Sequence, residues 1–478
     1  MAQKNTKKQQ KGRLGVIGLA GIVISSMIGG GIFSLPQNMA ASASVGGVLL
    51  AWLITGLGIW FIANTFRLLA QLKPNLTSGI YMYASDGFGP YMGFNIGWSY
   101  WLCQICGNVG YAVITMDALN YFFPGVFAGG NNLTSIIGGS VLIWGFNYLV
   151  LRGVQQATKI NLIATIAKII PLILFCIILI FAFNFDKFDF DFWGELSKGR
   201  LGNLETQVKN SMLVTLWAFI GIEGAVVLSG RAKSQKDVGR ATIVGFLGCL
   251  LIYVLLSVLP FGVMGQMRLA GIENPSTAGV LEIVVGHWGA WLMNIGLIIA
   301  VLASWLSWTM ITAQMPQSMA ENGTFPKSFA LENKAGAPQV SLWVTSLLMQ
   351  LAMFLVYFSH NAWNTMLSIT GVMVLPAYLF SCLYLWKICE DEVITGVSRW
   401  TARLTGIFGS IYAIWLIYAA GLNYLLMAII FIAAGLPLYV WARGPKAHMT
   451  FAEKICAVVL VSVAICAFYA FGRGIIHV

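Results

Sequence analysis

The chain is a succession of apolar stretches about 20 residues long, each bounded by a short polar break. That is the length an α-helix needs to cross the roughly 30 Å hydrocarbon core of a bilayer. Thirteen stretches qualify, near 14–34, 44–70, 92–122, 132–151, 160–183, 209–229, 241–265, 280–312, 340–358, 363–387, 403–420, 422–442 and 453–472. The slightest break is Gly421-Leu422-Asn423, between the eleventh and twelfth. In hydrocarbon every backbone polar group must be satisfied within its own segment, so the fold expected is an all-α integral membrane protein. Only 9% of the residues are charged, against roughly 25% in a soluble domain. Little of the chain therefore faces water.

The net charge of +11 could point to nucleic acid. Its distribution points to the membrane instead. With the N-terminus inside and the spans alternating, 21 of the 28 Lys and Arg fall in inside segments. Six fall outside (Lys187, Lys198, Arg200, Lys209, Arg268, Arg473), and Lys168 lies within a span. This is the positive-inside bias, and it marks topology and contact with anionic lipid. The basic segment 1–13 reads as a cytoplasmic tail, because the apolar stretch after it is too long and too glycine-broken for a cleaved signal. The inner membrane is the expected location, and thirteen spans put the C-terminus outside.

The eight cysteines lie in or beside apolar segments. Cys103 and Cys106, spaced i, i+3, could suit a metal or redox pair, but small apolar packing residues are the better reading. No disulfide framework, metal site or cofactor is expected. The four histidines (His287, His360, His448, His477) stand apart from acidic and nucleophilic motifs, so the chain does not read as a membrane enzyme. It shows no selectivity-filter repeat of a channel.

Two spans carry features a lipid-facing helix does not need. The first is Ser25-Ser26-Met27-Ile28-Gly29-Gly30-Gly31-Ile32-Phe33, ended by Pro36. Each glycine weakens a helix by about 1 kcal/mol relative to alanine. A spaced Gly-xxx-Gly would favour close helix packing; a contiguous triplet favours unwinding around a cavity. The second is Trp217-Ala218-Phe219-Ile220-Gly221-Ile222-Glu223-Gly224-Ala225, with a glutamate between two glycines. A charge at the bilayer centre costs about 2.5–3.5 kcal/mol on insertion scales, so Glu223 reads as a functional carboxylate facing the bundle interior. Breaks in the first and sixth spans are the pointer to an inverted-repeat transporter. Half-helix N-termini suit a carboxylate and unwound carbonyls suit an ammonium, so the midplane between them suits a zwitterion.

At these residues the chain resembles the amino acid–polyamine–organocation superfamily, and within it the basic amino acid/polyamine antiporters. The likeness covers about residues 14–440. It rests on Gly29-Gly30-Gly31-Ile32-Phe33-Ser34-Leu35-Pro36, Ser78-Gly79-Ile80-Tyr81-Met82-Tyr83, Lys168-Ile169-Ile170-Pro171-Leu172, Phe219-Ile220-Gly221-Ile222-Glu223 and Ala320-Glu321-Asn322-Gly323-Thr324-Phe325-Pro326. The resemblance implies the leucine-transporter fold, with inverted repeats at 14–183 (spans one to five) and 209–387 (spans six to ten). The additional helices at 403–478 follow, and the thirteenth inherits no role.

The resemblance also implies site residues. The amides of Gly30 and Gly31 would meet the substrate α-carboxylate, and carbonyls of Met27, Trp217 and Ile220 its ammonium. Trp217 and Trp308 would pack on its aliphatic chain and cationic head, a cation–π contact worth up to about 2 kcal/mol when desolvated. Asn108, with carbonyls of Cys103 and Gln104, would meet the distal group. Tyr81, Tyr100, Glu223 and Lys168 are assigned to gating or coupling. Lys168 would occupy the space a sodium ion fills in sodium-coupled relatives and tie the fifth span to the first and eighth, which implies sodium-independent transport. Two positions depart from the pattern: Gly30 replaces a serine, and Tyr111 a methionine near the distal group. The function implied is exchange of a cationic amino acid, arginine, for ornithine. Two alternatives stay open: a proton-coupled or facilitated permease for lysine, histidine or a neutral amino acid, and an exchanger of an amino acid for its decarboxylation amine. The partners expected are this small cationic substrate and membrane lipid, with no nucleic acid; composition leaves a homodimer open.

Overall fold

A computed structural model describes residues 15–76, 79–153, 155–223, 234–359, 361–392, 394, 396–444 and 449–474. The basic tail 1–13, Ser78 and the glycine after Glu223 lie outside the described residues. Many spans begin on a polar cap. Asn132, Asn203, Ser234, Asn361 and Ser398 each accept a backbone N–H of the first turn that follows. Thr450 and Glu453 form a reciprocal capping box. Such a cap contributes about 1 kcal/mol and satisfies donors that lipid cannot.

The first span is a broken pair: α1 (Val16–Met27), a 3-10 turn (Gly30–Ser34) and α2 (Leu35–Ser42), bent by 48°. There follow α3 (Val45–Leu72), the short α4 (Ile80–Phe88), α5 (Pro90–Asn120), α6 (Leu133–Arg152) and α7 (Gln155–Ala182). The sixth span starts as α8 (Leu204–Ala218) and gives way to turns over Phe219–Glu223. Next come α9 (Gln235–Val258), α10 (Ser276–Val285), α11 (His287–Glu321), α12 (Gln339–Val356) and α13 (Ala362–Asp391). The chain closes with α14 (Arg399–Ala420), α15 (Leu422–Ala433), α16 (Leu436–Arg443) and α17 (Phe451–Gly472). Among the described residues ten helices are long and apolar enough to cross a membrane alone, and the bent pair counts as an eleventh if taken as one span. Among the described residues no strand forms.

Two expectations need correction. Pro36 does not end the first span. It sits in the first turn of α2, where its missing N–H costs nothing, and the helix runs on to Ser42. The stretch expected at 280–312 is two helices. Gly286, at φ 84°, ends α10 and starts α11, so the eighth span runs from His287 to Glu321. Gly421, at φ 81°, makes the expected break between α14 and α15.

The packing of spans one to five is repeated when they are exchanged with spans six to ten. α1 lies on α9 as α8 lies on α3, and α7 lies on α11 as α5 lies on α13. α3 meets α9, α5 meets α11, and α6 meets α12. The halves are thus interlocked around the two broken spans. Hydroxyls and amides tie them across helices, as in Thr55–Thr215 at 2.7 Å and Asn147–Ser346 at 2.6 Å. In a membrane each such bond contributes about 0.6 kcal/mol on average. α17 packs on α15 at the periphery.

Candidate functional site

The glycine triplet is bare because neighbouring side chains crowd the space its Cβ atoms would fill. A Cβ on Gly29 would lie 2.5 Å from the Tyr111 hydroxyl, and one on Gly31 only 1.4 Å from the Trp217 ring. On Gly30 it would come within 3.0 Å of Ile114 and 3.1 Å of Val301. The second break is tied to the first. The Ser26 hydroxyl donates to the carbonyl of Gly221 at 2.7 Å. Gly221 has φ 105°, and a Cβ there would lie 2.7 Å from the Ser26 carbonyl oxygen.

Between the breaks lies a small cavity. α1 contributes Met27, and α5 contributes Cys103, Gln104, Asn108 and Tyr111. Trp217 and Ile220 come from the sixth span and Trp308 from α11. Eight of the ten expected substrate residues therefore meet. Gly30 and Gly31 do not line this cavity; Gly29 does. The reason is packing: Gly30 is wedged against Ile114, Val301 and Trp363, and the Trp217 ring covers Gly31. Ser26, Gly107 and Thr370 also line the cavity and had no assigned role. Ser26 stood in the quoted motif, and Thr370 shares a span with Gly371, the only signals available.

The polar atoms of this wall are largely unpartnered. Asn108 is buried, and its Nδ2 donates to the Gln104 carbonyl at 2.8 Å and to Thr312 Oγ1 at 3.0 Å. That leaves Asn108 Oδ1 without a partner, as are both amide atoms of Gln104 and Thr370 Oγ1. Buried polar groups are normally paired, so these four atoms have bonding capacity to offer a polar ligand. Trp308 supplies an aromatic face, and Trp217 stands edge-on to Trp363 at 5.6 Å between ring centres. Trp217 is also a partition. It borders a second, larger space, lined by Gly31, Asn38, Asn210, Ser368 and Tyr424 among others.

The residues assigned to gating or coupling lie outside the cavity wall. Glu223 is buried and accepts from Tyr100 at 2.5 Å, Tyr378 at 2.9 Å and the Gly221 amide at 3.1 Å. Tyr378, from α13, was not foreseen. Lys168 donates to the carbonyls of Ser25 (2.7 Å) and Ile28 (2.8 Å) and to the hydroxyls of Ser25 (3.0 Å) and Ser304 (3.2 Å). It thereby ties α7 to α1 and α11. Tyr81, on α4 between the second and third spans, donates to the Ser318 carbonyl at 3.4 Å. Burial pushes its hydroxyl up to about 12, so it keeps its proton at physiological pH.

A family model for amino acid permeases matches residues 14–439. A Chlamydia abortus protein named arginine/agmatine antiporter is 62% identical over 449 residues, covering 92% of each chain. Proteins of the same name from Chlamydia pneumoniae and Chlamydia trachomatis serovar L2 are 59% and 56% identical, over 97% and 98% of this chain and 98% and 99% of theirs. The unpartnered cavity between two broken spans belongs to a transporter and not an enzyme, and the chain is a leucine-transporter-like member of the amino acid permease family within the amino acid–polyamine–organocation superfamily.

Proposed function

We propose that the chain exchanges arginine for its decarboxylation product agmatine across the inner membrane, by alternating access and without sodium. The observation that carries this reading is the unpartnered Asn108 Oδ1 in a cavity walled by Trp217 and Trp308. An amide oxygen accepts from a guanidinium, and tryptophan faces attract one. Arginine and agmatine share that head. The relatives' names favour the amine as counter-substrate; nothing in the cavity favours ornithine.

Alternating access follows from two inverted repeats, 14–183 and 209–387, rocking about the breaks. Trp217 closes one side of the cavity and the Tyr100–Glu223–Tyr378 cluster the other. Met27 and Ile220 carbonyls take the ammonium, and amides of the Gly29–Gly31 turn take the carboxylate once Trp217 moves aside. The Lys168 ammonium, held by four oxygens, fills a place where a sodium ion would otherwise be bound. The N-terminus lies in the cytoplasm, as the Lys and Arg distribution supports.

The test is counterflow. Liposomes are loaded with agmatine, ornithine or buffer alone, and labelled arginine uptake is followed with and without sodium. Uptake into agmatine-loaded vesicles only, indifferent to sodium, is the expected result. Near neutral pH arginine carries one net positive charge and agmatine two, so this exchange also responds to an imposed potential. Exchange with ornithine is electroneutral and does not. Equal uptake into empty vesicles would replace the exchanger by a facilitated or proton-coupled permease.

A further inference from the structure

Tyr100, Gln104 and Asn108 follow one another at i, i+4 and i+8 on α5, so they share one helix face. All three are buried, at 1%, 4% and 1% exposure. The bonds along this face break off at one place. Asn108 is fixed by its bonds to the Gln104 carbonyl and Thr312. Tyr100 is fixed by its bond to Glu223. Between them the Gln104 side chain borders the cavity with neither amide atom bonded, although it lies beside the Tyr100 hydroxyl.

We infer that the Gln104 side chain is a specificity and positioning residue that links the substrate's guanidinium to the Tyr100–Glu223–Tyr378 cluster. The inference rests on the proposed guanidinium substrate. The bonding follows from donor and acceptor inventory. Tyr100 spends its one proton on Glu223, so its oxygen can only accept from Gln104. Of the Gln104 amide atoms only Nε2 can donate to it. The Gln104 Oε1 is then left to accept from the cation, beside Asn108 Oδ1 and Thr370 Oγ1. A guanidinium, which has donors and no acceptor, completes a directional chain from substrate to Gln104 to Tyr100 to Glu223. Each bond in such a chain polarises the next. An apolar side chain in the same position would give neither the acceptor nor the link. Without substrate the amide is an unpaired buried group, whose cost binding removes.

The test measures binding to purified full-length protein in nanodiscs. The ligands are arginine and norvaline, which has the same α-amino acid end but no guanidinium. The proteins are wild type, Gln104→Leu, Tyr100→Phe and the double variant. We expect Gln104→Leu to weaken arginine about tenfold and to leave the norvaline affinity unmoved. In the Tyr100→Phe background the same substitution should weaken arginine by only about threefold, because the link it breaks is already cut. An equal loss for both ligands, or the same fold-change in both backgrounds, overturns the inference while arginine binding by the wild type stands. Wild-type protein that binds norvaline but no arginine overturns the substrate reading, and this inference with it.

Discussion

The sharpest perturbation is Gly31→Ala. Its Cβ would stand 1.4 and 1.7 Å from two ring carbons of Trp217. Carbon atoms rest about 3.5–4.0 Å apart, so the ring must retreat by about 2 Å or the turn must shift. Overpacking of this kind costs about 1–3 kcal/mol. The retreat also disturbs the edge-on pair with Trp363, worth about 0.5–1.5 kcal/mol. The expected destabilisation is therefore about 2–4 kcal/mol. Gly29→Ala meets the far end of a tyrosine at 2.5 Å and Gly30→Ala two methyl groups at 3.0 and 3.1 Å, milder overlaps than at Gly31, so each should cost less, about 1–2 kcal/mol. The assay is thermal inactivation of purified protein beside arginine counterflow, for the three variants alone and with Trp217→Ala. Gly31→Ala should be the most damaging of the three and should cost almost nothing once the indole is gone. If Gly30→Ala is as harmful as Gly31→Ala, or if Trp217→Ala gives no relief, the reasoning about what the triplet accommodates is wrong.

Asn108→Leu should weaken arginine binding at least tenfold, since it removes the acceptor and strands Thr312 and the Gln104 carbonyl; equilibrium binding checks it. Lys168→Met leaves two buried carbonyls and two hydroxyls without their donor, a loss of about 3–6 kcal/mol. It should abolish counterflow and lower thermal stability, and wild-type rates in proteoliposomes would refute the tie between α7, α1 and α11. Tyr378→Phe takes one of three donors from Glu223 and should slow exchange by about tenfold with little change in arginine affinity, a contrast that rate and binding measurements separate. Glu392→Gln, by contrast, breaks an exposed pair with Lys73 (2.6 Å) and should alter stability by less than about 1 kcal/mol in a thermal melt.

Much of this was legible in residue order because the bilayer leaves few choices. Span length and the two glycine-rich breaks are local features, and both reappear in the fold. Lys168 and Glu223 stood out because charge in a span must be accounted for. What could not be read was set by tertiary packing. Gly286 looks like any tolerated glycine in an apolar run until its positive φ divides α10 from α11. Which glycine of the triplet borders the cavity depends on where the Trp217 ring rests. The role of Tyr378 depends on a bond to a residue 155 positions away. Ser26 and Thr370 passed unassigned because hydroxyls are common in spans and their directions follow from helix rotation. The side chain of Gln104 was passed over for its carbonyl for the same reason.

Among the described residues the cavity wall contains aromatic faces and neutral acceptors but no carboxylate, and for an exchanger of arginine and agmatine this matters. Two unit charges 4 Å apart interact by about 4 kcal/mol in a partly solvated protein. A carboxylate at the head would attract the shared guanidinium of both ligands alike and repel only arginine's α-carboxylate about 8 Å away, a bias of about 2 kcal/mol toward the doubly charged amine. An exchanger biased that way would hold its product and turn over more slowly. Cation–π contacts and amide oxygens are worth about 1–3 kcal/mol each and are directed at the shared head. They bind both ligands without responding strongly to the extra charge. Glu223 lies behind Tyr100, removed from the substrate by the hydroxyl and by Gln104. Moving the charge forward, with Gln104→Glu, should tighten agmatine more than arginine and slow counterflow. Equal tightening of both, measured by binding, would show that the carboxylate's distance is not what keeps the exchange balanced.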